Sequence, residues 1–328
     1  RGLQHIGKLG LEYAYEGLLV GRVGVERVET NAHGRSLRTL ERVAPVAGRN
    51  LYLNIDARVQ AVAEQALAGR RGALVAIEPA TGAVLAFAST PTFDGNAFVN
   101  GIDPASYRAL LDDPDKPLIN RALHGQYAPG STIKVFYGLA DLEAGSAIDM
   151  NRNVYCTGTF SLPGSSHQFR DWKREGHGPV NRHEAIVQSC DVYFYRLALA
   201  LGPDHMAEFL APFGFGQETG IDLPEEKSGL LPSPAWKRKR GQPWYPGDTV
   251  VAGIGQGPIL VTPLQLAVAT ATIANRGVRA KPMLVRAHED PITKERVELA
   301  PRVAGRVPVR NERNWDALFA DMMAVVHG

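Results

Sequence analysis

Apolar and polar residues alternate at the start of the chain, and the pattern changes near Asn50. Val23-Gly24-Val25-Glu26-Arg27-Val28-Glu29 has the period of a β-strand whose two faces differ. Residues 1–50 are rich in Gly, Arg, Val and Glu and too few for a large core, so they read as part of an accessory module. Beyond Asn50, Leu51-Tyr52-Leu53-Asn54-Ile55 reads as a strand. Asp56 then caps a helix over Ala57–Ala68, which Gly69 stops. The apolar runs Ala73–Ile77 and Ala83–Ala88, joined by the turn Glu78-Pro79-Ala80-Thr81-Gly82, predict a β-hairpin covered on both faces.

Residues 89–127 are loop-rich, with Pro91, Pro104, Pro114 and Pro117. Helix formers run from Ser131 to Ala144, where Gly145 ends them, and residues 184–201 form a second helical region. Thr262 as cap and Pro263 at the first helical position begin a third. Strands first, a helical middle and a mixed end predict α/β layers of the α+β kind rather than βαβ repeats. No internal repeat is present.

A chain of 328 residues with 45% hydrophobic and 21% charged residues supports a substantial globular core. The net charge of +2 gives no reason to expect nucleic acid, and the basic run Trp236-Lys237-Arg238-Lys239-Arg240 reads as a solvated loop. No stretch approaches the roughly 18 apolar residues of a membrane span, and no signal peptide opens the chain. The start at Arg1, without Met, reads as a piece of something longer. Two cysteines exclude a disulfide scaffold.

Ser131-Thr132-Ile133-Lys134 carries candidate chemistry. Helix positions i and i+3 share a face, so the lysine amine can reach the serine hydroxyl. That hydroxyl is a weak nucleophile until a base takes its proton. Pro129-Gly130 puts Ser131 at a helix start, where free N–H groups favour developing negative charge and the glycine admits a substrate. Ser189-Cys190-Asp191 supplies a second hydroxyl that can relay a proton to a leaving amine. Taken alone, each motif is also a common helix surface.

Cys156, Asp171, His177 and Cys190 have the donor types of a structural zinc site, with the last inside the second motif. A Cys156–Cys190 disulfide and two unrelated buried thiols stand as alternatives, and His167 and His183 are substitutes for His177.

Several segments together resemble the class B penicillin-binding proteins. They are Tyr127-Ala128-Pro129-Gly130-Ser131-Thr132-Ile133-Lys134, the opening strands over Ala76–Ala86, Asn120-Arg121-Ala122, and Gly253-Ile254-Gly255-Gln256-Gly257 followed by Thr262-Pro263-Leu264-Gln265. The rod-elongation subfamily is resembled by Phe169-Arg170-Asp171-Trp172, by Ser189–Tyr195 and by Trp244–Thr249, and the segment from His5 to Glu12 resembles its pedestal. The resemblance implies a transpeptidase fold, with a central antiparallel sheet flanked by helices. It also implies a pedestal remnant over residues 1–50 and a transpeptidase domain over 51–328.

The implied reaction cross-links peptidoglycan stem peptides through a serine acyl-enzyme and needs no catalytic cofactor. Ser131 is the implied nucleophile, Lys134 the base and Ser189 the proton relay, while Asp191 stands in the usual Asn position of its motif. Further implications are acylation by β-lactams, zinc near the second motif, and contact with a membrane glycosyltransferase and a morphogenic scaffold protein. The implied location is the periplasmic face of the bacterial inner membrane, held by an N-terminal helix outside this chain. Rival readings are a serine β-lactamase or β-lactam sensor, and a non-catalytic scaffold of the elongation complex.

The family also uses a Lys-Ser/Thr-Gly motif on an edge strand. Lys227-Ser228-Gly229 matches as text, but Pro224, Pro232 and Pro234 around it argue against a strand. The third motif is therefore expected to be missing from the chain as given.

Overall fold

The computed structural model describes residues 6–99, 101–145 and 154–327, so His5 of the pedestal-like segment and the terminal Gly328 lie outside it. Two short helices, Gly10–Ala14 and Glu16–Leu19, lead into antiparallel strands Val25–Thr30 and Ser36–Val43. This hairpin is almost entirely exposed. The chain returns through a bridge between Arg22 and Val46, and Arg49 N–H donates to the Leu18 carbonyl. Tyr15 Oη donates to Asp222 Oδ2 at 2.8 Å, and the same carboxylate accepts from Leu284 and Val285 N–H at 2.7 and 2.9 Å. One half-buried acid thus ties the first residues to the sheet.

Asn50–Leu53 pairs antiparallel with Val285–Glu289, which also pairs with Arg296–Glu298. Asp56 caps helix Ala57–Leu67 by accepting from Arg58 and Val59 N–H. The expected hairpin forms between Gly72–Ile77 and Val84–Thr90, and a parallel bridge from Ala83 to Met283 joins it to the three-stranded sheet. Both hairpin faces are covered. Leu74, Ala76, Ala86 and Ala88 pack with Ala63 and Leu67 of helix Ala57–Leu67. Val75, Ile77 and Phe87 pack with Leu123, Leu264 and Val268. The last two belong to helix Pro263–Ala274, where Thr262 and Gln265 form a reciprocal capping box.

The main core lies between helices Lys134–Ala144, Asp191–Leu201, Pro203–Leu210, Pro246–Ala252 and Arg313–His327. Phe136 sits edge-on to Phe213 and Phe215 at 5.1 and 5.0 Å, and Trp315 is fully buried. Two helical segments differ from the sequence expectation. The stretch from Ser131 begins as a 3₁₀ turn over Gly130–Ile133, and the α-helix starts only at Lys134. Residues 184–201 are two helices, Arg182–Val187 and Asp191–Leu201, broken where Ser189 takes a left-handed φ of 53°. The break turns the Ser189 hydroxyl and carbonyl towards Lys134 at the start of helix Lys134–Ala144.

The loop Gly253–Gly257 braces the turn that carries Ser131. Gly130 N–H donates to the Gly255 carbonyl at 3.0 Å. Gly255 has φ +70°, and a Cβ there would stand 2.2 Å from the Gly130 oxygen. Only glycine fits, because both the conformation and the contact exclude a side chain. Gly255→Ala is expected to lower the unfolding free energy by about 2 kcal/mol or more. Urea titration followed by tryptophan fluorescence checks this.

Candidate active site

Ser131 is exposed on its 3₁₀ turn, directly after a glycine with φ +58°. Ile133 points the other way and is fully buried. Lys134, one turn on from the serine, is 2% exposed. Its Nζ donates to Asp191 Oδ1 at 2.6 Å, to the Ser189 carbonyl at 2.9 Å and to Ser189 Oγ at 3.1 Å. The Phe194 ring centre lies 5.4 Å from the same nitrogen. All three donors of an ammonium are therefore accounted for, which a cation at this depth requires. Lys134, Ser189 and Asp191 form one hydrogen-bonded group, while Ser131, three residues before the lysine, is exposed. Among the described residues no hydrogen bond joins Ser131 Oγ to the amine.

Trp172 is a contributor that the residue-by-residue reading did not assign a role. Its N–H donates to Asp191 Oδ2 at 3.2 Å and its indole Nε1 to the Gln188 carbonyl at 3.0 Å, with the ring 65% exposed. The Asp171-Trp172 pair offered a signal only through family resemblance.

The four candidate zinc donors converge. Cys156, Asp171, His177 and Cys190 bring their ligand atoms within 4.8 Å of one another, and three of the four residues are buried. Cys156 Sγ lies 3.5 Å from Asp171 Oδ2 and 3.5 Å from His177 Nδ1, and Cys190 Sγ lies 3.5 Å from Asp171 Oδ2. A tetrahedral zinc about 2.0–2.3 Å from each donor would set donors roughly 3.3–3.8 Å apart, so these separations suit the ion. His167 instead sits edge-on to Phe169 at 4.6 Å, and His183 Nδ1 bonds Asp321 at 2.7 Å.

Burial pushes the Asp171 carboxyl up, but N–H donation from Val192 and Lys173 and the nearby His177 outweigh it and hold the group below its ordinary value. Burial pushes the Cys190 thiol well up, with Cys156 and Asp171 adding to the effect. A bound cation would reverse that preference and favour thiolates.

The cluster is built on a small excursion. Val154–Cys156 pairs with Gly178–Val180, and Thr159–Phe160 with Phe169–Arg170. Asp171 Oδ2 also accepts from Val192 N–H at 3.1 Å, which attaches the excursion to the helix carrying Asp191. Lys227-Ser228-Gly229 lies in irregular chain, with Lys227 exposed and the Ser228 carbonyl accepting from Gln265 Nε2 at 2.6 Å. The prolines had excluded it from a strand, and the backbone agrees.

The profile described as the penicillin-binding protein transpeptidase domain matches residues 72–327, and that of the penicillin-binding protein dimerisation domain matches residues 1–53. Peptidoglycan D,D-transpeptidase MrdA of Acinetobacter baumannii is 51% identical over 287 residues, which are 87% of this chain and 43% of that protein. The chain thus spans less than half of that relative. Pseudomonas aeruginosa PBP2, solved in complex with WCK 5153, is 42% identical with a TM-score of 0.85, covering 99% of this chain and 68% of the other. Helicobacter pylori PBP2, solved in complex with MreC, is 35% identical with a TM-score of 0.85, covering 98% and 57%.

The Lys134–Asp191 pair yields a stability test. Asp191→Ala leaves a buried ammonium without its counter-charge and is expected to cost about 3–5 kcal/mol in urea unfolding. The double replacement Lys134→Met with Asp191→Leu is expected to cost much less, because neither charge then remains.

Proposed function

The chain belongs to the penicillin-binding protein transpeptidase family, and from that premise we propose that it is the acyl-transfer portion of a peptidoglycan D,D-transpeptidase serving cell elongation. The observation that carries the reading is the buried Lys134 amine. It is hydrogen-bonded to both members of a Ser-x-Asp turn and lies one turn from an exposed serine.

In the proposed cycle, the Lys134 ammonium first passes one proton to Asp191 Oδ1, 2.6 Å away, and the neutral amine then takes the Ser131 proton as Ser131 Oγ attacks the carbonyl between the two terminal D-alanines of a donor stem peptide. Ser189 lies within hydrogen-bond reach of Lys134 and relays a proton to the departing amine as the C–N bond breaks and D-alanine leaves. Asp191 holds the lysine in place. An acceptor amine then attacks the acyl-enzyme, forms the cross-link and frees Ser131. A β-lactam acylates the same oxygen, but its leaving nitrogen remains tethered after the ring opens.

Cys156, Asp171, His177 and Cys190 would hold a structural zinc, whose contribution is a cross-link between the excursion and the second motif. No proton or acyl step passes through it.

Residues 1–50 would be part of the pedestal and 51–328 of the transpeptidase domain. The exposed N-terminal hairpin and its tie at Asp222 support that division. The partners would be a membrane glycosyltransferase and a morphogenic scaffold protein, consistent with the MreC complex of the Helicobacter pylori relative. The location would be the periplasmic face of the inner membrane. Among the described residues no helix is long and apolar enough to cross a membrane.

Two measurements test the reading on the full-length protein. Intact-mass spectrometry after penicillin exposure is expected to show one slowly released adduct, absent in Ser131→Ala. Rapid turnover would indicate a β-lactamase, and no adduct a non-catalytic scaffold. Metal analysis is expected to find about one zinc per chain, lost together with thermal stability in His177→Ala. A metal-free parent protein of unchanged stability would remove the zinc from the proposal.

A further inference from the structure

The helix that carries Lys134 and the helix that carries Asp191 share a second polar contact, remote from Ser131. Tyr193 Oη donates to Asp141 Oδ2 at 2.6 Å. Asp141 lies about two turns beyond Lys134, on the same helix face. Tyr193 is fully buried, and Asp141 is 9% exposed. Burial pushes the Asp141 carboxyl up, while the Tyr193 hydroxyl and the charge of Arg182 oppose the shift. Arg182 itself is paired with Asp321 of the C-terminal helix.

This contact is costly, because a buried carboxyl loses its hydration. Phenylalanine and an apolar partner would fill the same volume without that penalty, and buried polar pairs are often no more stable than such replacements. What a hydrogen bond adds is a defined separation and register. At the other end of this helix pair the Lys134 bonds to Ser189 and Asp191 hold the two helices together. At Gly138, midway between Lys134 and Asp141, the helix has no side chain, and an added Cβ would stand 2.6 Å from Ile186 Cδ1.

We propose that the Asp141–Tyr193 hydrogen bond is a positioning rung for acyl transfer, setting the register between the two helices so that Ser189 and Asp191 meet the Lys134 amine. The proposal rests on the reading of Ser131 and Lys134 as nucleophile and base. Neither rung residue touches the reacting atoms. Its loss should therefore slow chemistry without weakening ligand binding.

The test uses the full-length protein and a fluorescent penicillin, separating the limiting acylation rate from the pre-covalent dissociation constant. Tyr193→Phe is expected to lower the limiting rate about tenfold and leave the dissociation constant unchanged. Asp141→Asn keeps an acceptor oxygen for the tyrosine and is expected to stay within about twofold of the parent, whereas Asp141→Leu falls with Tyr193→Phe. A parental limiting rate in folded Tyr193→Phe, or equal losses in the two Asp141 variants, overturns the proposal. If Tyr193→Phe does not fold, the Asp141 comparison carries the test. Ser131→Ala is run alongside: loss of its labelling upholds the nucleophile independently of the rung, and retained labelling refutes the underlying reading.

Discussion

An ammonium buried beneath an exposed hydroxyl is the constraint from which the local architecture follows. Lys134 has almost no contact with solvent, so each of its protons needs an acceptor. Three acceptors come from one short turn: the Ser189 carbonyl, the Ser189 hydroxyl and the Asp191 carboxylate. To offer all three in one direction the backbone leaves helical geometry at Ser189 and resumes it at Asp191. The helix break, the left-handed serine and the close approach of the two helices are one solution to one desolvation problem.

The same turn serves a second group. Cys190, between Ser189 and Asp191, faces away from Lys134 towards Cys156, Asp171 and His177. Asp171 accepts from the N–H of Val192, and Trp172 donates its own N–H to Asp191. Contacts thus run in both directions between the excursion and the turn. Anything that draws the four donors together also fixes the backbone that presents acceptors to Lys134. A metal held there would act on that turn through backbone geometry alone.

Much of this was legible in the sequence, for identifiable reasons. Asp56 and Thr262 with Gln265 announced helix starts because side-chain caps are local chemistry. The hairpin around Glu78–Gly82 was legible because two apolar runs flanked a turn segment. The four donor residues were readable from their types, with a Cys156–Cys190 disulfide as an alternative; the structure gathers the four and leaves both cysteines free. Other features depend on contacts between distant segments. Periodicity cannot reveal the break at Ser189, since both helices continue one apolar pattern and only the demand of Lys134, far earlier in the chain, interrupts it. Gly255 reads as an ordinary loop glycine until Gly130 is placed against its backbone.

Two three-residue segments show where motif text stops being informative. Lys227-Ser228-Gly229 spells a family motif, yet its lysine is solvated and its serine carbonyl is used to hold Gln265. Ser189-Cys190-Asp191 spells almost nothing, yet its first and last residues satisfy a buried cation and its middle residue joins a donor cluster. What separates them is how many otherwise unsatisfied buried groups depend on each. An exposed lysine can be replaced at small energetic cost, whereas a turn that supplies every acceptor of a buried ammonium cannot move without exposing that charge to an apolar interior. The geometry of the second segment is thus enforced by desolvation, whereas nothing buried depends on the lysine of the first.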